Sequence, residues 1–298
     1  MAVIFIFIDG VGLGKQSEEN PFFTQSYESF QVLSGENFFE HSDSIVQPNH
    51  LFKAIDANLG VEGLPQSGTG QTTLFTGQNA SQLIGKHFGP YPHTAIKPLL
   101  KEKSIFHGVK EAGKIPYFIN AYPPVFLEYS GKRNRWSCTT LMTQSAGLRL
   151  NSIKEIENEE ALTAEIVQNA WRERLEIDIP KITAKDAAQR LLNVLPNYDL
   201  VLFEYYLTDK AGHDKSFENA ERVLKPLDEF LMYILTHKRS EDLLVITSDH
   251  GNLEDLSRKT HTRNNVPLMV FGEKADLFRE VESLIDVKEA ILSSLEDS

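Results

Sequence analysis

Continuous apolar runs recur along the chain at intervals that predict buried strands. The first run, Val3 to Ile8, contains no polar residue and is rich in β-branched side chains. Such runs are typical of strands in a parallel sheet that is covered on both faces. Similar runs follow later in the sequence: Ile115 to Ile119, Leu200 to Phe203, Leu243 to Thr247 and Val266 to Phe271.

Helical patterns lie between these predicted strands. Ser104 is suited to cap a helix that ends at Gly113. Thr183 and Asp186 have the spacing of a capping box, and apolar residues follow them at helical intervals. Ser216 is suited to cap a third helix with one apolar face. Alternating strands and helices predict an α/β fold with a doubly wound, mostly parallel sheet flanked by helices.

The segment between Gly77 and Thr183 is less regular. It contains a basic, aromatic stretch, Lys132 to Trp136, and a region around Glu159 to Glu176 that we expect to form a long helix. We therefore predict one α/β domain over residues 1–298. A small cap or lid is predicted to be inserted at about residues 123–178.

Composition and charge exclude some functions. A net charge of −12 over 298 residues argues against non-specific nucleic-acid binding. An anionic substrate stays possible, because bound divalent cations invert the field of an acidic site. The single cysteine, Cys138, precludes an intrachain disulfide and fits a reducing compartment. Val3 to Ile8 lacks the basic segment of a secretory signal, and no apolar stretch is long enough to span a bilayer, so we expect a cytoplasmic protein.

Carboxylates and imidazoles follow the predicted strands. In open α/β sheets, ligands bind at the carboxyl ends of strands. Each such residue alone is common in surface turns, so the prediction depends on their joint occurrence. Mixed oxygen and nitrogen ligands suit Zn²⁺ or Mn²⁺ better than Ca²⁺ or Mg²⁺, and six are enough for two ions. The candidates are Asp9, Asp209, His213, Asp249, His250 and His261.

A stretch rich in Gly, Ser and Thr, residues 63–77, is the candidate nucleophile region. Its simpler interpretation is a flexible loop before a helix. Alternatively, a hydroxyl at the helix N-terminus would lie where backbone N–H groups stabilise a phosphate, and coordination to a metal would activate it. By chemistry alone Ser67, Thr69, Thr72 and Thr73 are equally suited to this role.

The motifs, taken in order, resemble the alkaline phosphatase superfamily. The resemblance is to its metalloenzyme branch, which includes cofactor-independent phosphoglycerate mutase and phosphopentomutase. The matching stretches are Asp9-Gly-Val-Gly12, the segment Ile55 to Pro65 that leads into Ser67, Asp209-Lys-Ala-Gly-His213, Thr247-Ser-Asp-His-Gly-Asn-Leu-Glu254, and His261-Thr262 followed by Val266-Pro267.

The resemblance implies a division of the ligands between two divalent ions, Mn²⁺ or Zn²⁺. One ion would take Asp209, His213 and His261. The other would take Asp9, Asp249, His250 and the oxygen of Ser67. The resemblance also selects Ser67 as nucleophile, because the family's interval between the hydroxyl and the end of its loop matches the interval from Ser67 to Thr76-Gly77.

Two departures from the family pattern bear on the reaction. Gln71 stands where phosphoglycerate mutases have a histidine. We also expect no counterpart here of the large second domain with which those enzymes enclose the sugar phosphate. Both favour water as the acceptor. We therefore predict a two-metal phosphohydrolase that acts on a small phosphate ester through a phosphoserine. The alternatives are a phosphomutase, a phosphodiesterase and a non-catalytic phosphate-binding module.

Basic residues in the middle segment are candidates to hold the rest of an anionic substrate. They are Lys86, His87, Arg133 and Arg135. Lys86 is the first choice, because its loop closely follows the nucleophile segment. Solvated surface charge is the simpler interpretation of any one of them. The sequence does not indicate the oligomeric state.

Overall fold

A twisted sheet forms the centre of the molecule in the computed structural model, which describes residues 1–133 and 135–296. Asn134 of the basic stretch thus lies outside the described residues. In these residues the sheet has seven strands in the order β2-β3-β7-β6-β1-β5-β4. The strands are β1 (Val3–Ile8), β2 (Ile45–Gln47), β3 (His50–Ile55), β4 (Pro116–Phe118), β5 (Leu200–Tyr205), β6 (Leu243–Thr247) and β7 (Val266–Phe271).

The directions of the strands determine which strand ends, and therefore which loops, lie at the same edge of the sheet. Strands β4, β5, β1 and β6 are parallel, whereas β7 is antiparallel to β6 and β3 is antiparallel to β7. The start of β7 and the end of β3 therefore lie at the same edge as the carboxyl ends of β1, β5 and β6. All five predicted strand segments contain strands, and the mostly parallel α/β fold is confirmed. Strand β3 was not predicted, and the apolar run of β7 did not reveal its direction.

Helices cover both faces of the sheet, and no helix of the described chain is long and apolar enough to cross a bilayer. The helices are α1 (Pro21–Thr24), α2 (Glu28–Ser34), α3 (Ser67–Thr76), α4 (Ala80–Ile84), α5 (Lys97–Glu102), α6 (Ile105–Glu111), α7 (Pro124–Arg133), α8 (Cys138–Ser145), α9 (Ile153–Glu157), α10 (Asn169–Glu173), α11 (Ala184–Val194), α12 (Leu207–Asp214), α13 (Phe217–His237) and α14 (Leu284–Leu295). Short 3₁₀ turns lie at Thr94–Ile96, Leu195–Asn197 and Ala275–Phe278.

Alternating residues of the central strands supply two separate cores. Ile4 and Ile6 of β1 pack with residues of α2, α11 and α13 on one face. Phe5 and Phe7 point to the other face, where α3, α5, α6, α8 and α14 pack. Every residue of β1 is buried, which is why the strand is apolar throughout and not alternately polar.

The predicted helix starts are confirmed. Helix α6 begins after Ser104. Thr183 and Asp186 form the capping box of α11, and the Ser216 side chain caps α13. The signals for α11 and α13 are local, since each depends on a side chain that satisfies a free N–H group of the helix that follows it. Ser104 occupies the cap position of α6, but its hydroxyl contacts the His107 side chain and not a backbone N–H.

The prediction of a long helix around Glu159 to Glu176 is wrong. Only α10 is helical there, and Glu159, Ile166 and Gln168 have positive φ values that interrupt a helix. The backbone of Leu162 instead exchanges hydrogen bonds with Ile119 and Ala121, which extends the pairing beyond β4. Burial of Leu162 and Ile166 in the main core accompanies this pairing and overrides the helical propensity of the segment.

The segment at 123–178 combines exposed and buried parts. Among α7 residues only Ser130 is buried, whereas most of α8 is buried and packs against α3 and α5. Trp171 and Ile156 belong to a small core of their own. The interpretation of this segment as a separate cap stays a prediction.

Candidate metal centre and active site

The predicted ligands come together at the edge of the sheet where β1, β5 and β6 end. Asp9 follows β1, Asp209 and His213 lie on α12 after β5, and Asp249-His250 follows β6. His261 precedes β7, and it reaches the same edge because β7 runs in the opposite direction. The fold thus brings together six side chains that are up to 252 positions apart, from Asp9 to His261.

Asp209, His213 and His261 form the first set. The His213 Nε2 atom lies 3.3 Å from Asp209 Oδ2, and His261 Nε2 lies 3.4 Å from Asp209 Oδ1. The two Nε2 atoms are 3.2 Å apart. Ligand atoms about 2.1 Å from one ion at tetrahedral angles are about 3.4 Å apart, so this spacing fits a single cation.

Backbone carbonyls orient the two imidazoles of this set. His213 Nδ1 lies 2.7 Å from the carbonyl oxygen of Lys259, and His261 Nδ1 lies 2.6 Å from that of Pro65. A carbonyl only accepts, so each Nδ1 donates its proton and the neutral ring keeps the Nε2 lone pair for a metal. This is the usual arrangement of a histidine metal ligand. The Pro65 contact also ties His261 to the loop that carries Ser67.

Ser67, Asp9, Asp249 and His250 form the second set. The His250 Nε2 atom lies 3.0 Å from Ser67 Oγ, 3.3 Å from Asp9 Oδ1 and 3.6 Å from Asp249 Oδ2. Asp249 and His250 have no exposed surface. The His250 ring also stacks on the His261 ring with centroids 3.9 Å apart, so the two sets adjoin.

The chemistry of the buried donors fits divalent cations. Asp9 Oδ1 and Asp249 Oδ2 are buried, and neither has a hydrogen-bond partner among the described residues. Burial and the neighbouring Asp209 raise the pKa of Asp249 to about 7, and burial and Asp249 raise the pKa of Asp9 well above its usual range. Buried carboxylates this close repel one another unless a cation lies between them. Metal ions would use the unpaired oxygens and remove the repulsion.

The hydroxyl of Ser67 differs from those of the neighbouring threonines. Ser67 is the first residue of α3, and its side chain points to the metal centre. The hydroxyls of Thr69, Thr72 and Thr73 donate to the carbonyl oxygens of Gln66, Gly68 and Thr69. Because those three hydroxyls bond to the backbone at or within their own helix, the geometry favours Ser67 among the candidates that chemistry alone left equal.

Small residues allow α3 to approach the centre. A Cβ atom on Gly70 would lie 2.8 Å from the carbonyl oxygen of Asp249, too close for a side chain. One turn after Ser67, the Gln71 side chain donates from Nε2 to Asp9 Oδ2 over 3.0 Å. Gln71 therefore satisfies one oxygen of Asp9 and leaves the other, Oδ1, facing His250.

The four candidate substrate-binding residues lie in different surroundings. The Lys86 ammonium is 5.7 Å from the centroid of the Phe88 ring, and the Arg135 guanidinium is 4.7 Å from that of Tyr91. His87 is half-buried and contacts Ser81 Oγ at 3.1 Å and the Val61 carbonyl at 3.3 Å. Arg133 stacks on Tyr129 of its own helix.

Two of these cations contact aromatic rings of the loop that borders the nucleophile helix. The carbonyl of Phe88 accepts from the Thr69 N–H, and the Tyr91 carbonyl leaves no room for a Cβ on Gly68. Lys86 and Arg135 are exposed on the rings of this loop. His87 and Arg133 are engaged in local contacts.

Three polar residues around the centre were not singled out as site residues from the sequence. Asn252 donates from Nδ2 to Asp209 Oδ1 over 2.6 Å, and the Glu254 carboxylate accepts from three loops. Glu204 of β5 is buried, its pKa is raised to about 7 by burial, and it accepts from the Thr139 hydroxyl. Asn252 and Glu254 lie inside a recognised motif, whereas a single glutamate in an apolar strand was the only signal for Glu204.

The fold and this centre define a class of protein. The TAB5 alkaline phosphatase from an Antarctic bacterium superposes with a TM-score of 0.59 at 12% identity, covering 99% of this chain and 97% of that one. The PH0037 protein from Pyrococcus horikoshii superposes with a TM-score of 0.60 at 14% identity, covering 100% and 98%. The chain thus has an alkaline-phosphatase-like α/β fold.

The family model of the metalloenzyme superfamily matches residues 1–296. The chain belongs to this superfamily, which confirms the resemblance seen in the sequence. A curated relative is 2,3-bisphosphoglycerate-independent phosphoglycerate mutase 1 of Methanocaldococcus jannaschii, 32% identical over 95 residues. That match covers 32% of this chain and 23% of the relative, so it spans about a quarter of the mutase.

Proposed function

We propose that this protein transfers the phosphoryl group of a small phosphate monoester through Ser67 at a centre of two divalent metal ions. The observation that carries the proposal is the 3.0 Å separation between Ser67 Oγ and His250 Nε2 inside a cluster of unpaired, buried carboxylate oxygens. A hydroxyl in that position has the surroundings that a phosphoryl-accepting nucleophile requires. Membership of the metalloenzyme superfamily supports the same conclusion.

Each group of the chain has a defined part in the proposed reaction. Divalent ions held by the two sets would neutralise phosphoryl charge and lower the pKa of the Ser67 hydroxyl. Ser67 Oγ forms a bond to phosphorus while the bond to the leaving oxygen breaks. The N-terminal N–H groups of α3 favour the negative phosphoryl oxygens. Gln71 holds Asp9, and the Pro65 carbonyl holds His261, so both ligands are oriented in advance.

The second acceptor determines whether the enzyme is a mutase or a hydrolase. The name of the M. jannaschii relative favours a phosphomutase, in which the phosphoryl group returns from Ser67 to another hydroxyl of the same substrate. We place this reaction ahead of the hydrolysis predicted from the sequence. Hydrolysis is the second candidate because Gln71 occupies the position of the mutase histidine and instead donates to Asp9.

Lys86 and Arg135 are the proposed contacts for the remainder of the substrate. Both are exposed cations. Lys86 belongs to the loop that packs against the start of α3, and Arg135, which follows α7, lies over the Tyr91 ring of that loop. The predicted cap at 123–178 would then contribute Arg135 to the substrate side of the centre. His87 and Arg133 are weaker candidates, since the structure uses their side chains in contacts to Ser81, Val61 and Tyr129.

A serine variant tests the nucleophile. Ser67→Ala should lower turnover of an accepted phosphate ester by at least about 10³-fold, because the hydroxyl that forms the covalent intermediate is removed. Bound Mn²⁺, measured by elemental analysis, should stay near the wild-type content. Thr72→Val is the matched control: its hydroxyl bonds to Gly68 and its loss should leave turnover within a few-fold. Substantial turnover by Ser67→Ala would refute the assignment.

A substrate panel followed by ³¹P NMR tests the acceptor. Phosphoglycerates, pentose phosphates, other monoesters and diesters are incubated with the protein and either Mn²⁺ or Zn²⁺. Appearance of a positional isomer without inorganic phosphate would identify a mutase, whereas stoichiometric release of phosphate would identify the hydrolase. Turnover of diesters alone would favour a phosphodiesterase, and binding without turnover of any ester would favour a binding module.

A further inference from the structure

Glu254 lies beside the metal centre, and its carboxylate accepts four hydrogen bonds. The side chain is buried, with 1% of its surface exposed. Its Oε2 atom accepts from the N–H of Gly12 over 2.9 Å and from the N–H of Asn252 over 2.8 Å. Its Oε1 atom accepts from the Thr262 hydroxyl and, over 3.0 Å, from Asn264 Nδ2. All four donors are neutral groups. Each bond is strengthened because its acceptor is a charged carboxylate.

These donors come from the three loops that carry metal ligands. Gly12 is three residues after Asp9, Asn252 is two residues after His250, and Thr262 directly follows His261. Direct hydrogen bonds also join these loops, among them the Thr262 N–H to the Gly251 carbonyl, the Leu253 N–H to the Gly10 carbonyl, the Leu13 N–H to the Asn265 carbonyl and the Val11 N–H to Ser248 Oγ. Glu254 therefore joins three segments that are far apart in sequence, and it does so close to the candidate metal ligands.

Asn252 extends this link to the fourth ligand-bearing segment. Its backbone N–H donates to Glu254, while its side-chain amide donates to Asp209 Oδ1 over 2.6 Å and to the Asp209 carbonyl over 3.0 Å. A displacement of Glu254 would thus be transmitted to both sets of ligands.

The backbone closes tightly around this carboxylate. A Cβ atom on Gly12 would lie 2.5 Å from Glu254 Oε1, and one on Gly251 would lie 2.2 Å from the same atom. A Cβ atom therefore does not fit at either glycine while the carboxylate keeps its four bonds, and these bonds bring the three loops close to one another.

We propose that Glu254 is a positioning residue that sets the spacing of the two metal sites by holding the loops after β1 and β6 and the loop before β7 together. It acts through Gly12, Asn252 and Thr262. The inference rests on the proposed two-metal centre. A glutamine does not reproduce this glutamate. Its NH₂ group would face either the N–H groups of Gly12 and Asn252, or Thr262 and Asn264, whose side chains would then have to reverse from donors to acceptors. In both orientations the negative charge that strengthens all four bonds is lost.

Titration of the purified full chain with Mn²⁺, read by competition with a chromogenic chelator, tests the role without a substrate. Glu254→Gln should weaken the affinity for both ions by roughly 10- to 100-fold, the range seen when residues that orient metal ligands are lost. Glu155→Gln is the matched control. Glu155 is also a buried carboxylate. It accepts from the Ser152 N–H and hydroxyl in a capping box away from the centre, and it also accepts from Arg149 Nη2. This control should leave both affinities at the wild-type level.

Three results would overturn the inference: wild-type affinities in Glu254→Gln, equal losses in the Glu155→Gln control, or loss of only one ion. If Glu254→Gln fails to fold, Thr262→Val decides the question. This variant removes one donor and should weaken Mn²⁺ binding by roughly two- to tenfold, and unchanged binding would count against the role. Absence of Mn²⁺ and Zn²⁺ binding by the wild-type protein would instead refute the proposed metal centre itself.

Discussion

At the scale of single residues, the hydrogen bonds that a side chain makes to its surroundings decide what the rest of that side chain can do in the centre. The carbonyls of Lys259 and Pro65 select the histidine tautomers, and backbone bonds occupy three threonine hydroxyls near Ser67. Asp209 shows the same principle. Burial opposes its ionisation, but donation from Nε2 of His213 and His261 in their doubly protonated form holds the pKa of its carboxyl well below the usual range. A bound metal ion would take the place of those two protons.

Gln71 should affect the binding affinity for only one of the two proposed metal ions. In Gln71→Leu the Asp9 Oδ2 atom loses its donor, so we expect affinity for the ion beside Asp9 to fall by roughly 10- to 100-fold. The ion held by Asp209, His213 and His261 should bind as in the wild type. Metal content at increasing free Mn²⁺, followed by elemental analysis, measures both sites.

His261→Ala provides the reciprocal control for this prediction. It should deplete the ion that Gln71→Leu leaves in place, since His261 Nε2 belongs to the first set. Identical stoichiometry in both variants and the wild type would contradict the division of ligands between two ions.

At the scale of helices and strands, sequence signals predicted the structure correctly where the residues involved interact within one helix. Thr183 and Asp186 of α11 form a reciprocal cap, with the Thr183 N–H and hydroxyl donating to Asp186 Oδ2 over 2.8 and 2.7 Å. The region around Glu159 to Glu176 had helical composition but no comparable stop and start signals, and pairing of Leu162 with Ile119 and Ala121 replaced the helix.

The cap of α11 should give a pH-dependent contribution to stability. Hydrogen bonds from the Thr183 N–H and hydroxyl lower the pKa of Asp186. The stabilisation is therefore present above the unfolded-state pKa of about 3.9 and is lost as the pH falls through the lower folded-state value. Thr183→Ala should lower the free energy of unfolding by about 1 kcal/mol at pH 7, and by less at pH 3.

Urea unfolding followed by circular dichroism at both pH values measures this difference. Thr183→Ser keeps a hydroxyl in the same position and should retain most of the stability at pH 7. A loss in Thr183→Ala that is larger at pH 3 than at pH 7 would contradict the role assigned to the Asp186 carboxylate.

At the scale of the whole molecule, the order and direction of the strands create the centre. Parallel β1, β5 and β6 end at one edge, and antiparallel β7 begins there. Strand β3 ends at that edge as well, and the loop after it leads to Ser67 at the start of α3. The candidate ligands thus come from segments next to five strands. Repulsion between their carboxylates therefore acts on the fold as a whole.

Divalent ions should therefore stabilise the entire protein. Ligands that bind only the folded state add about 2.7 kcal/mol per site at 100 times Kd. We expect a melting temperature several degrees higher in Mn²⁺ or Zn²⁺ than in EDTA, measured by calorimetry. His261→Ala should show a smaller shift, because one set is incomplete. Equal melting temperatures with metal and with EDTA would contradict binding at the buried carboxylates.

Sequence alone determined the features that depend on neighbouring residues or on burial. Apolar runs such as Val3–Ile8 indicate strands covered on both faces, since every residue there avoids water. Capping residues indicated the starts of α6, α11 and α13. The motifs identified the family that the comparison confirmed, and they named the six metal ligands and Ser67, whose roles stay predictions until the variants above are measured.

Tertiary structure alone decided the features that depend on approach between distant segments. Burial does not encode strand direction, so only the folded sheet brings the loop before β7 to the edge where β1 ends. By chemistry alone Ser67 and the threonines were equal, and only the family resemblance selected Ser67. The structure adds that the Ser67 hydroxyl faces His250, whereas the threonine hydroxyls bond to backbone carbonyls. Glu254 lies at the end of a motif recognised in the sequence, but the motif does not indicate which groups its carboxylate contacts. Its position between three loops exists only in the fold, because hydrogen bonds are short and directional and the donors are up to 252 residues apart, from Gly12 to Asn264.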